Sequence, residues 1–533
     1  MWYNAAQGGK LGMGTIGFRG AWRIVHVSVI GVALACAGVA HGETVVLSAR
    51  DFSWRVAPRY VCRSGDVVRV SVPTSVVDSV SALLVGEIPS SRLHGAHLLR
   101  GKIRARASGV ARPKLDYLGV KFQFCLADDL TGNVLYPNVQ GRDRKSGTYG
   151  WRELTVGAPV AGLDLRKPVT LSLGLQGTTG VVEFDLSTLS VELLDDVYPQ
   201  VNADFRVDYS GRIRDLPPLR GVMLPGGRDL TEGDFADLQK WGVKLARYQM
   251  IRHWGRNRAN RDLDDYRRWM EGRLDHLEQV LAWAEKYGVR IVIDVHVAPG
   301  GRNEANEMYM FFERPYHDAF VDLWRRIATR FKGRPSVYGY DLINEPDQRA
   351  SAPWDYWTIQ REAAEAVRAV DPDTPVVIEA NEMDSPAAFA YLSPFKMDNV
   401  IYQVHMYVPG EFTHQGVSGG NADAKYPDEA RGWDKAYLRR ILQRVRDFQV
   451  RHGARIYVGE FSAVAWAKGA ERYLADCISI FEEYGWDWTY HSFRGWPGWS
   501  VEHEGESIDS MRPVDDSLRK RELLKGLRKG NGK

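Results

Sequence analysis

Residues 320–346 read FVDLWRRIATRFKGRPSVYGYDLINEP. Phe320, Leu323, Trp324, Ile327 and Phe331 recur at the i, i+3, i+4, i+7 spacing that buries one face of a helix. Val337–Ile343 then runs as a short apolar strand and ends in Asn344-Glu345-Pro346. The same alternation spreads in both directions. Strands are predicted at Arg220–Leu224, Val243–Met250, Arg290–Val297, Val337–Ile343, Pro375–Glu379, Val400–Val404, Arg455–Gly459 and Asp487–Phe493. Helical stripes lie between them, such as Leu438, Ile441, Leu442, Val445 and Phe448. Eight β units, each followed by a helix, over about 300 residues predict an α/β fold of the (β/α)₈ TIM-barrel type. An open doubly wound sheet would carry a Gly-rich phosphate loop after its first strand, and Gly226-Gly227 is not one.

Before about residue 200 the period is two. Val120, Phe122 and Phe124 alternate with Lys121 and Gln123; Val169, Leu171, Leu173 and Leu175 alternate with small or polar residues. Gly177-Thr178-Thr179-Gly180 reads as the turn of a hairpin joining that strand to Val181–Asp185. Short strands with almost no helical pattern predict a smaller all-β sandwich ahead of the barrel. Gly180-Val181-Val182-Glu183-Phe184-Asp185 resembles the closing strands of jelly-roll carbohydrate-binding modules. Trp54, Tyr60, Tyr136, Tyr149 and Trp151 are candidates for a sugar platform or, equally, for core and edge positions.

The chain thus divides into 1–42, 43–200 and 201–533. In the first segment Arg19 and Arg23 precede an apolar stretch from Ile24 to Ala40, with small residues following, the pattern of a signal peptide. The stretch is short for a span, which takes about 20 apolar residues; an uncleaved anchor is the alternative. This predicts a secreted or periplasmic protein with no membrane attachment after cleavage. Cys62 and Cys125 could pair in such a compartment, while Cys477 lies in an apolar helical pattern as a buried thiol. No cysteine spacing suggests a metal site, and no cofactor is expected. The 70 basic and 67 acidic residues leave a net charge of +3, which gives no reason to expect nucleic acid as a partner. The 17 Trp fit a carbohydrate ligand, because a pyranose face stacks on flat rings. A monomer is expected.

Reacting groups of a TIM barrel project from the C-terminal ends of its strands. The polar residues there are Arg247, His296, Asn344, Glu345, His405, Tyr407 and Glu460. Two of them are carboxylic acids on strands far apart in sequence that face one cleft in a closed barrel. Cleaving a glycosidic bond needs such a pair, one to protonate the leaving oxygen and one to attack or assist at the anomeric carbon. In such a pair one acid must carry a proton near neutrality and the other must stay ionised, which a neighbouring arginine favours.

Tyr340-Asp341-Leu342-Ile343-Asn344-Glu345-Pro346, Val458-Gly459-Glu460-Phe461, Ile293-Asp294-Val295-His296 and Tyr402-Gln403-Val404-His405-Met406-Tyr407 resemble the motifs of glycoside hydrolase family 5, the cellulase-type barrels. The resemblance covers about residues 215–510. It implies a retaining double displacement without metal, with Glu345 as acid/base and Glu460 as nucleophile. Asn344 would bind the sugar 2-hydroxyl, Arg247 and Tyr407 would orient Glu460, and His296 and His405 would line the same subsite. One departure concerns the eighth strand, where the family carries a Trp. Here His491 takes that place, and Phe493, Trp496 or Trp499 is left to supply the platform. The substrate expected is a β-glucan or related β-glycan, with a β-mannanase or exo-acting β-glycosidase as alternative. Further options are a transglycosylase or a non-catalytic carbohydrate-binding protein. Trp466 and Trp254 are cleft candidates; Trp354 and Trp357 start a helix and are expected to pack.

Overall fold

The computed structural model describes residues 45–529, apart from 57–58, 77–79, 94–95, 97, 114–116, 130–133, 140–141, 161–162, 165, 195–200, 254–257, 304–305, 350–351 and 418–422. The expected signal segment and Trp254 lie outside the described residues. Contact density divides the chain into two compact units, with the break at 197/198 and with 349–351 grouped with the first.

The first unit is a sandwich of two antiparallel sheets. One sheet has the order Val61–Ser64, Val67–Val72, Gly180–Leu194, Leu98–Val110, Gly147–Pro159, and Val45–Ser48 also pairs with Gly180–Leu194. The other has the order Ser53–Val56, Ser81–Ile88, Val169–Gln176, Gly119–Ala127, Val134–Leu135. The two-residue alternation fixes which side faces inward. Phe122, Phe124, Leu171 and Leu173 from one sheet share a core with Val70, Ile103 and Phe184 from the other.

Two expectations are corrected here. Gly177–Gly180 is not a hairpin turn, because Val169–Gln176 and Gly180–Leu194 belong to different sheets. The chain crosses from one sheet to the facing one, and turn residues with positive φ (+59° at Gly177, +121° at Gly180) serve that link as readily as a hairpin. The Cys62–Cys125 pair does not form, since both thiols are free. Cys62 pairs in register with outward Arg69, and Cys125 alternates with buried Phe124 and Leu126 on the other sheet. Their side chains therefore leave the sandwich on opposite faces. Of the five aromatic candidates, Trp54, Tyr60 and Tyr149 pack against the core. Trp54 also donates its indole N–H to the Ala49 carbonyl at 2.7 Å. Trp151 instead lies under the guanidinium groups of Arg104 and Arg106.

The second unit holds the expected barrel. Eight parallel strands close on themselves: Arg220–Met223, Leu245–Gln249, Arg290–Asp294, Val337–Asp341, Val376–Glu379, Val400–Met406, Arg455–Phe461 and Asp487–Tyr490. Helices between them bury the stripes that the sequence marks. In Arg314–Phe331 the residues Phe320, Leu323, Trp324, Ile327 and Phe331 are buried. The Trp324 indole donates to the Leu342 carbonyl at 2.9 Å, steadying the end of the fourth strand. Lys435–His452 starts under an Asp434 cap, whose carboxylate accepts the Tyr437 N–H, and stops at left-handed Gly453. Among the described residues no helix is long and apolar enough to cross a membrane.

At the N-terminal end of the barrel, Leu219, Leu245, Val292, Tyr338, Val377, Ile401 and Tyr457 pack as a plug. At the C-terminal end the strands stop in polar residues. The sixth and seventh are paired with a bulge that sets His405 directly beside Glu460. A Cβ at Gly459 would lie 2.4 Å from the Gln403 side-chain amide, so a larger residue there would have to displace that amide from Glu379.

Candidate active site

The fourth strand stops at Asp341, and the chain then bends so that Glu345 adopts φ +54°. A left-handed non-glycine residue costs about 1–2 kcal/mol, so its surroundings must hold it. The bend places the Glu345 carboxyl in a buried cluster with His405 and Glu460, where one nitrogen or oxygen of each lies within 4.8 Å of the others. His405 Nδ1 is 3.0 Å from Glu345 Oε1 and 3.9 Å from Glu460 Oε2.

The structure brings Arg247 and Tyr407 to Glu460. Arg247 Nη1 donates to its Oε1 at 2.6 Å and the Tyr407 hydroxyl to its Oε2 at 2.9 Å. Arg247 Nη2 donates to Asn344 Oδ1 at 3.0 Å, which fixes the amide with its Nδ2 unpaired and buried. Glu345 Oε2 is likewise buried without a hydrogen-bond partner. Buried polar atoms left open on consecutive residues are what a bound, hydroxyl-rich ligand would satisfy.

Protonation follows from the contacts. The Gln403 amide faces His405 Nε2 at 3.2 Å, so that nitrogen accepts and Nδ1–H donates to Glu345. Burial pushes the His405 pKa down to about 3, which keeps the ring neutral. Burial, and then the charge of Glu460, push the Glu345 pKa well above the usual carboxyl range. For Glu460 burial opposes ionisation, but His405, His491 and Arg247 outweigh it and hold the group well below that range. Because His405 is neutral at ordinary pH, the permanently charged Arg247 is the partner that persists. One carboxyl is thus protonated and its neighbour ionised, the division of labour that acid-assisted displacement at an anomeric centre requires.

His296 reaches the same region through Asp294, whose Oδ2 accepts from its Nδ1 at 2.7 Å, and burial lowers its pKa to about 3. His491 follows the eighth strand, with Nδ1 2.6 Å from the Tyr407 hydroxyl and 3.3 Å from Glu460 Oε2. Phe493 is not the platform. It is fully buried against the edge of Trp241, ring centroids 5.1 Å apart. Trp499 stands 5.9 Å from the His491 ring, and Trp496, 36% exposed, continues from it towards Trp466. Trp357 is buried and bonded to the Ser393 carbonyl, while Trp354 stacks on His317.

Sequence reading missed a ring of acids below this pair. Arg247 also contacts Asp341 at 2.7 Å, Glu379 at 2.9 Å and Asp294 at 3.3 Å, all fully buried. Burial raises Asp294 and Asp341 from 3.8 to about 7, and pushes Glu379 and Asp384 well up. The signal was present: Asp294, Asp341 and Glu379 each end an apolar strand, and a charge in such a run needs a partner. Asp384 and Arg302 come from loops and left no such mark. Glu379, Asp384 and His405 are also close enough to surround a cation. However, Glu379 Oε1 already accepts from Arg247 Nη2 and from the Gln403 amide, which occupies both lone pairs.

The sequence profile described as Cellulase (glycosyl hydrolase family 5) matches residues 216–495, more than half the chain. The chain belongs to glycosyl hydrolase family 5. It is therefore a glycoside hydrolase, and TIM-barrel enzymes keep their active sites at the C-terminal end of the barrel. Among curated relatives it is similar to Endoglucanase C of Acetivibrio thermocellus, 28% identical over 260 residues, which span 43% of this chain and 75% of the relative. It is also similar to Cellodextrinase A of Ruminococcus flavefaciens, 22% identical over 267 residues, 48% of this chain and 76% of the relative. A solved structure of a glycoside hydrolase is 22% identical, covering 58% of this chain and 99% of its own, with a TM-score of 0.47.

Proposed function

We propose that this family 5 member hydrolyses a β-glucan or closely related β-glycan with retention, Glu345 acting as acid/base and Glu460 as nucleophile. The observation that carries the reading is the proximity of the two carboxyls, one held protonated and one ionised. Retaining enzymes keep their carboxyls about 5–5.5 Å apart, inverting ones about 6.5–9.5 Å; oxygens within 4.8 Å of each other favour the first. Glu460 attacks the anomeric carbon while Glu345 Oε2–H protonates the departing oxygen. The glycosyl ester neutralises Glu460, removing the charge that raised the Glu345 pKa. Glu345 then draws a proton from water as the water oxygen attacks the anomeric carbon, which breaks the ester and returns Glu460 as a carboxylate.

Arg247 and Tyr407 aim the nucleophile. Asn344 Nδ2 is open to the sugar 2-hydroxyl, His296, His405 and His491 line the subsite, and Trp496 offers a face to a neighbouring sugar. The relatives named endoglucanase and cellodextrinase support a β-glucan substrate. The sandwich of 43–200 acts as a module apart from the catalytic barrel of 201–533, with three of its five candidate aromatic residues committed to packing. Action outside the cytoplasm accords with the signal-like pattern of residues 19–42 and with a polymeric substrate.

Release of reducing sugar from β-glucan, mannan, xylan and aryl β-glycosides tests the reading. Activity on β-glucan is expected to lead. Activity only on mannan or only on aryl glycosides would replace the substrate while leaving the two glutamates, and none on any of them would overturn the function.

A further inference from the structure

Glu345 needs a mould, and the fifth-strand end supplies one. Glu379 Oε2 accepts the Glu345 backbone N–H at 2.5 Å. The Met383 N–H donates to the Pro346 carbonyl at 2.9 Å, and the Asn381 amide spans both the N–H and the carbonyl of Gln348 at 2.8 and 3.0 Å. From the other side Arg302 Nη2 donates to the Glu345 carbonyl at 2.6 Å. Glu382, Met383 and Asp384 all have φ between +56° and +61°, so the mould itself is held in an uncommon shape.

Glu379 is the hinge-point of this arrangement because its two oxygens face different partners. Oε2 holds the Glu345 main chain; Oε1 accepts from Arg247 Nη2, whose other terminal nitrogen holds Glu460. Burial pushes its carboxyl pKa well up. All its hydrogen-bond partners nonetheless donate, which only an ionised, acceptor-only carboxylate satisfies in full, so the donors hold the charge against burial. Its own main chain is clamped on both sides by Gln360, whose Oε1 accepts the Glu379 N–H at 3.0 Å and whose Nε2 donates to the Glu379 carbonyl at 2.9 Å.

Resting on the assignment of Glu345 and Glu460 above, we infer that Glu379 is a positioning residue for hydrolysis: one buried carboxylate that sets the acid/base against the nucleophile by gripping the main chain of one and the arginine of the other. It touches no substrate. Glu345 is faced as well by Glu460, Asp384, Arg247 and Arg302 and by the neutral ring of His405.

Glu379→Gln tests this. Whichever way the amide is flipped, its NH₂ meets a donor, either the Glu345 N–H or Arg247 with Gln403. We expect kcat on β-glucan to fall about 10²-fold, the scale of an ångström-sized misplacement, with KM changed less than about threefold. Removing a neighbouring negative charge lowers the Glu345 pKa, so the alkaline limb of kcat/KM should move to lower pH by about half a unit or more. Glu379→Asp keeps the charge but withdraws the grip, so the limb should stay in place while kcat remains at least about tenfold low. If Glu379→Gln does not fold, Gln360→Met loosens the Glu379 main chain without altering its carboxylate, and about a tenfold loss in kcat is expected. A folded Glu379→Gln with kcat within threefold of the parent and an unmoved limb overturns the inference, as does an unimpaired Gln360→Met. Labelling of the parent enzyme by a 2-deoxy-2-fluoro glycoside separates the two levels. An adduct away from Glu460 sinks the catalytic assignment, whatever the Glu379 variants do.

Discussion

Each end of the barrel is built around one arginine. At the N-terminal end Arg455 meets Asp487 through two bonds, Nε to Oδ2 at 2.6 Å and Nη2 to Oδ1 at 2.8 Å. The rest of that carboxylate is taken by the Tyr338 hydroxyl and the Leu219 N–H, both at 2.6 Å, and Arg455 also reaches the Leu216 and Pro217 carbonyls. One charge answers one charge. At the C-terminal end Arg247 faces Asp294, Asp341, Glu379 and Glu460, with Glu345 and Asp384 close by. Arg247 and, beside Glu345, Arg302 bring two positive charges to six carboxyl groups, which cannot all be ionised, and several retain protons near neutrality. The lower network is a structural tie. The upper one is a charge imbalance whose use is to keep adjacent acids in opposite states.

The largest effect should come from Glu460→Ala, which removes the ionised member. Turnover is expected to drop by about 10⁴-fold or more, and azide should restore it with an inverted product. Rescue with retained configuration would contradict the assignment. Next, Glu345→Ala should slow substrates with poor leaving groups by about 10²–10⁴-fold and activated aryl glycosides far less; equal losses on both would remove its acid role.

The two arginines sharpen the contrast. Breaking a buried pair costs about 3–5 kcal/mol, so Arg455→Met should lower stability by that order in chemical denaturation while the folded enzyme keeps its kcat within about threefold. Arg247→Met should lose nearly all activity even where it remains folded. Similar kinetics for the two variants would erase the distinction drawn between the ends.

The smallest effect is a pH dependence of stability. Asp294 and Asp341 have folded pKa values raised from 3.8 to about 7. Between these limits the folded chain binds more protons than the unfolded one, so their contribution makes stability fall as pH rises from about 4 to about 7. Asp294→Asn should flatten the slope of Tm against pH across that window. A steeper slope in the variant would show that the sign is wrong.

The upper site was partly legible in the sequence because chemistry and strand pattern coincide there. Glu460 closes an apolar run and Glu345 follows one, each at a barrel strand end, and Arg247 is a charge inside another such run. Asp294 and Asp341 sit in equally apolar strands, but their partner is Arg247, and that pairing exists only once the barrel closes. Glu379 ends the fifth strand without a distinctive neighbour, and Arg302 and Asp384 are ordinary loop residues until the fourth and fifth loops dock. In the sandwich the alternation of Val120, Phe122 and Phe124 correctly gives the inward face. Yet Gly177–Gly180 could join strands within a sheet or between sheets, and the sequence carries no sign of which. Phe493 was open to a cleft role only because a strand-end aromatic reads alike whether it faces sugar or Trp241.

The most direct test is to trap the intermediate with a 2-deoxy-2-fluoro β-glycoside bearing an activated leaving group, then locate the adduct by peptide mass spectrometry. A single glycosyl ester on Glu460, with Glu345 unmodified, is the predicted result. An adduct on another residue, or no adduct together with an inverted anomer in the first-formed product by NMR, would contradict the pairing of a protonated Glu345 with an ionised, nucleophilic Glu460.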